Sequence, residues 1–134
     1  MPMIIDHIDK IARDLQRDVL YIAFDHEHFP SYDYETYAER NELLQWLDEH
    51  EIHYRECGEI ASENGWESYR GQLYIDLPFD EENEKYRLLD NYLCNEDNTP
   101  KIKGVIFYYL TLEIAMKNAH HDEPGFWDNW ADNF

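Results

Sequence analysis

Apolar residues return at steps of three and four at the start of the chain, at Ile4, Ile5, Ile8, Ile11, Ala12 and Leu15, with Asp6, Asp9, Lys10, Arg13 and Asp14 filling the other side. That spacing predicts an amphipathic helix. At Val19 the pattern becomes a continuous apolar, β-branched and aromatic run to Phe24, the signature of a buried central strand. Helical spacing resumes with Tyr37, Leu43, Leu44 and Leu47 on one side and Glu35, Glu39, Glu42 and Glu49 on another, predicting a helix from about Tyr34 to His50. Ile52 to Ile60 and Tyr69 to Phe79 flank Ser62-Glu63-Asn64-Gly65, and Asn-Gly readily takes the positive φ angles of a hairpin turn. A long hairpin follows, its second arm ended by Pro78, which has no N–H to donate.

Asp80 to Glu84 place acids at the start of a third helix, whose buried stripe is Tyr86, Leu89, Tyr92 and Leu93 and which stops by Asn95. Val105 to Leu112 favours a strand, with the continuation to Ala119 turning helical. Residues 120–134, an acidic and aromatic tail, show no regular pattern. After the first helix the order is strand, helix, strand, strand, helix, strand. The expected fold is therefore α+β: a single-domain ferredoxin-like βαββαβ sandwich with a four-stranded antiparallel sheet and an extra N-terminal helix. Runs 19–24 and 72–77 fall in the sheet centre, and 52–60 and 105–112 at the edges. An apolar edge invites self-pairing into a homo-oligomer unless covered, and the first helix and the tail are the candidate covers.

Charge adds a second layer. Thirty Asp and Glu oppose eleven Lys and Arg, a formal net charge of −19 over 134 residues. The excess is local: residues 25–51 carry nine acids against Arg40 alone, and residues 80–97 carry seven against Lys85 and Arg87. Residues 98–121 carry three Lys and one acid. Such a charge repels nucleic acid and anionic membranes directly and attracts basic protein surfaces. The longest apolar run, 105–112, is too short to span a bilayer, the first residues show no charged-then-apolar leader pattern, and two cysteines 37 residues apart fit a reducing compartment, so a cytoplasmic location is expected.

Candidate chemistry is sparse. Asp25-His26-Glu27-His28 follows the first strand and offers metal-ligand types, with His26 and His28 alternating; His120-His121-Asp122-Glu123 is a second cluster. Neither matches a metal signature, and a chain this rich in acids and His sets them side by side by composition alone, so no metal or cofactor is expected. Ser31, Ser62 and Ser68 lie outside any nucleophile elbow, and Cys57 and Cys94 read as structural thiols, so catalysis is not expected.

Acids interleaved with aromatics are the remaining signal, as in Tyr32-Asp33-Tyr34-Glu35 and Phe126-Trp127-Asp128-Asn129-Trp130. Carboxylates pair with guanidinium forks and aromatic faces stack on them. The expected contact residues are Asp25, Glu27, Tyr32, Asp33, Tyr34, Glu35, Glu39, Glu42, Asp80, Glu81, Glu82, Glu84 and Trp127. The expected function is an acidic protein-binding inhibitor, an immunity or antidote protein occluding a basic nuclease toxin domain. The alternatives are a DNA mimic and a small metal-dependent enzyme or sensor using Asp25 to His28. In overall character the chain is similar to toxin-immunity proteins and phage-type DNA mimics, both small and acidic, although no motif carries the likeness.

Overall fold

The structure, a computed structural model, describes residues 7–25, 27–30, 33–58 and 71–123. The chain runs α1 (Ile8–Leu15), β1 (Val19–Phe24), α2 (Ala38–Glu49), β2 (Tyr54–Glu56), β3 (Leu73–Ile75), α3 (Glu84–Leu93), β4 (Val105–Leu110) and α4 (Leu112–Met116), with 3₁₀ turns at Tyr34–Thr36 and Ala119–Asp122. The four strands pair antiparallel in the order β2-β3-β1-β4, giving an α+β architecture.

β1 is paired on both sides: Leu20 lies between Ile75 and Tyr109, and Ile22 between Leu73 and Phe107. Because successive strand side chains point to opposite faces, Leu20, Ile22 and Phe24 meet Leu43 and Leu47 of α2 and Leu89 and Leu93 of α3. Val19 joins Ile8, Ile11 and Ala12 of α1 and Ala115 of α4 on the other face. Helices on both faces are why β1 reads as an unbroken apolar run rather than an alternation.

Among the described residues of the expected hairpin, 54–56 and 73–75 form the ladder, extended at its ends by Asp76 N–H to His53 O and Cys57 N–H to Gln72 O. The second arm ends before Pro78, with Leu77 N–H turned back onto Ile75 O. The expected Asn64-Gly65 turn lies outside the described residues. The final strand stops at Leu110 because Asp18 accepts the Leu112 N–H at 2.7 Å and the Thr111 hydroxyl accepts the Ile114 N–H at 3.3 Å, which caps α4.

α1 departs most from expectation. It packs against the sheet face instead of covering an edge, and its end residue Leu15 is 46% exposed. Asp9 and Arg13, expected on the solvated side, are buried. Arg13 pairs with Asp9 at 2.8 Å, grips both oxygens of Asp122 at 2.7 and 2.8 Å, and donates to Ala115 O at 3.0 Å. Asn118 adds a 3.1 Å hydrogen bond to Asp9. One guanidinium therefore joins α1, α4 and the turn at Ala119–Asp122. Arg17, just past the end of α1, likewise reaches the Tyr74 hydroxyl of β3 and Asp76 at its exit, each at 2.9 Å.

Candidate functional site

At the end where β1 exits, the chain turns on Asp25. Its carboxylate accepts the His28 backbone N–H at 2.9 Å and lies 2.9 and 3.2 Å from His28 Nδ1, while its carbonyl accepts the Phe29 N–H. Phe29 is thereby buried against Phe24 and Tyr37. Gly104, at φ 82°, backs this turn and accepts the Asp25 N–H at 2.9 Å. A Cβ there would lie 2.6 Å from His28 Cβ and 2.7 Å from Phe29 Cε2. Gly104→Ala should therefore cost about 2–3 kcal/mol in urea unfolding, from the positive φ and the clash together. A change below about 0.5 kcal/mol would show that the turn gives way freely.

Asp25 and His28 engage each other, His26 lies outside the described residues, and no group of three His, Cys, Asp or Glu placed to hold a metal occurs among the described residues. In the second cluster Asp122 is committed to Arg13, whose hydrogen bonds hold its carboxyl below the usual carboxylate range. Cys57 is buried, which pushes its thiol up to about 12, and burial also raises half-buried Cys94. At that value the Cys57 thiol stays protonated, and so a weak nucleophile, at neutral pH.

The expected contact acids do not form one patch. Since β3 runs antiparallel to β1, with Ile75 opposite Leu20, the chain leaves β3 at the end where β1 begins. Asp25, Glu27, Asp33, Glu35, Glu39 and Glu42 therefore cluster at the exit end of β1, around the start of α2, with Tyr34 half-buried beneath the Arg40 guanidinium at 4.8 Å. Asp80, Glu81, Glu82 and Glu84 lie at the opposite end. Tyr32 and Trp127 lie outside the described residues. The exit-end acids also share their surroundings with the residues leading into β4, which carry Lys101 and Lys103.

At the opposite end the end of α2 meets the start of α3. Asp48, Glu51, Ile52, His53 and Lys85 line an open cleft of about 430 Å³, and Lys85 Nζ donates to Glu51 O at 2.9 Å. Asp48 and Glu49 occupy the last turn of α2, which holds no base. Negative charge there opposes the helix dipole by about 0.3–1 kcal/mol per group at low salt. Asp80 and Glu82 close a turn through Asp80 Oδ1 and the Glu82 N–H at 3.0 Å, and Asn83 caps α3 by accepting the Tyr86 N–H at 2.9 Å. Of the expected acids here, only Glu84 sits in the first turn of the helix.

Glu39, Glu42, Asp80, Glu81, Glu82 and Glu84 are exposed and enter no ion pair among the described residues. Asp48 and Glu51 were not among the expected contacts, although their positions beside Glu49 in the most acidic stretch were a usable signal. Phe79 was missed too, yet it directly precedes Asp80-Glu81-Glu82 and fits the interleaving pattern. Comparison with family models, curated proteins and solved structures finds no match. No helix among the described residues is long and apolar enough to cross a membrane.

Proposed function

We propose that this chain is a single-domain acidic protein-binding inhibitor on a ferredoxin-like frame, and that it acts as an immunity or antidote protein for a basic, nucleic-acid-cleaving toxin. The ferredoxin-like reading rests on the strand order β2-β3-β1-β4 with α2 and α3 together on one face. The functional reading rests on one observation: exposed carboxylates of Asp48, Glu49 and Glu51 at the end of α2 adjoin the start of α3, whose approach carries Asp80, Glu81, Glu82 and Glu84. Carboxylates at a helix C-terminus raise the energy of the free protein, and a cation from outside relieves that cost. A nuclease surface built to hold phosphates supplies such cations, and complementary charge speeds the encounter and sets its orientation.

The test is capture followed by inhibition. Immobilised protein should retain, at low salt, a basic polypeptide that cleaves nucleic acid, and free protein in excess should suppress that cleavage. Retention of no nuclease, or of one whose activity is unchanged by the excess, would sink the reading. Retention of several unrelated DNA-binding proteins instead would identify a DNA mimic.

A further inference from the structure

Seven large hydrophobic residues are exposed among the described residues, and two of them, Phe79 at 39% and Tyr109 at 56%, stack on one another with ring centroids 4.4 Å apart and planes within 16°. Tyr86 meets Phe79 edge-on at 5.7 Å, and Phe107 lies 6.2 Å from Tyr86, so the pair rests on a half-buried aromatic base. The cluster forms on β4, an edge strand whose six residues carry no charge. It borders the acidic end, because Asp80, Glu81 and Glu82 follow Phe79 directly and Asp90 lies one helical turn beyond Tyr86. Burial raises the Tyr86 hydroxyl, and the negative fields of Asp90 and Glu81 raise it further.

Exposed aromatic area normally costs free energy in a monomer and marks a surface that a partner covers. Here Asp80 to Glu82 adjoin one ring and Asp90 follows Tyr86 by a helical turn, which disfavours an apolar occupant and favours a cation with a flat face. Resting on the basic-partner reading above, we propose that the Phe79–Tyr109 stack is the seat of an arginine side chain of the partner. The guanidinium would lie on the ring face while Glu81 and Asp90 offer carboxylates to its N–H groups. Arginine is selected over lysine because a planar, weakly hydrated guanidinium stacks and forks where a compact ammonium does neither. Buried aromatic and arginine anchors of this kind carry most of the energy in protein interfaces.

The full chain, titrated at low salt with an oligoarginine peptide and an oligolysine peptide of equal length, should bind the former about fivefold more tightly. Phe79→Leu with Tyr109→Leu keeps apolar bulk but removes both π faces. This variant should lose that preference while its oligolysine affinity and thermal midpoint stay near those of the parent. Equal affinities in the parent, or a preference that survives in the variant, would overturn the arginine seat while leaving the basic-partner reading standing. If neither peptide binds, both fall. A light-scattering mass of twice 16.3 kDa that reverts to one chain in Tyr109→Asp would place a second copy on the stack and overturn the proposal as well.

Discussion

Arg13→Ala is expected to destabilise the protein by about 3–5 kcal/mol, because it leaves the fully buried Asp9 without its cation. Domains of this size hold only about 5–15 kcal/mol in total, so the loss is a large share, visible as a fall of roughly 10–20 °C in thermal midpoint. The same change frees Ala115 O and both oxygens of Asp122, loosening α4 and the turn after it from α1. In an Asp9→Ala background Arg13→Ala should cost less, since the stranded charge is gone; equal costs in the two backgrounds would refute the coupling.

The pair also makes a pH prediction. Arg13 depresses the Asp122 carboxyl, so its contribution is fully present above the ordinary carboxylate pKa of about 4 and is lost as pH falls through the lower folded value. The stability gap between parent and Arg13→Ala should therefore be constant near neutrality and narrow below about pH 4. A gap that widens in acid would contradict it. Arg13 itself is held above its ordinary range by the same contacts and stays charged throughout.

Reversing Asp80, Glu81 and Glu82 to Lys should slow association with an oligolysine peptide by on the order of 10–100-fold at low salt, the range over which charge steering acts. The three side chains are exposed and enter no ion pair among the described residues, so stability should change by no more than about 0.5 kcal/mol at Glu81 and Glu82, and by about 0.5–1.5 kcal/mol at Asp80, whose carboxylate accepts the Glu82 N–H. Reversing Glu35, Glu39 and Glu42 alters net charge by the same amount at the other end of the sheet, beside the Lys101 and Lys103 segment, and is expected to slow association less. Stopped-flow rates decide the matter. Equal slowing by both triple variants would mean that only total charge counts and that no contact end exists.

Much of this arrangement is legible from side-chain periodicity. The run Val19–Phe24 announces a strand covered on both faces, and Leu43, Leu47, Leu89 and Leu93 announce the buried stripes of α2 and α3, because local pattern and burial obey the same geometry. The candidate contact acids are legible only as composition. Asp25 and Asp80 look alike in the chain, yet antiparallel pairing of β1 with β3 sends them to opposite ends of the sheet. Tyr109 gives no local sign of its exposure, since only its place on an edge strand leaves it out of the core.

α1 shows where pattern fails. Asp9, Lys10, Arg13 and Asp14 look equivalent on a polar helix face, but Lys10 and Asp14 form an exposed pair while Asp9 and Arg13 are buried. The difference is made by Asp122 and Ala115, more than a hundred residues away, which satisfy the guanidinium and so make its burial tolerable. The sequence by itself determined the α+β class, the main elements and a charge of −19, all of which follow from local spacing and counting. Tertiary structure alone decided which charges are buried, which acids share an end and which aromatics face outward, because each depends on partners that only folding brings into contact.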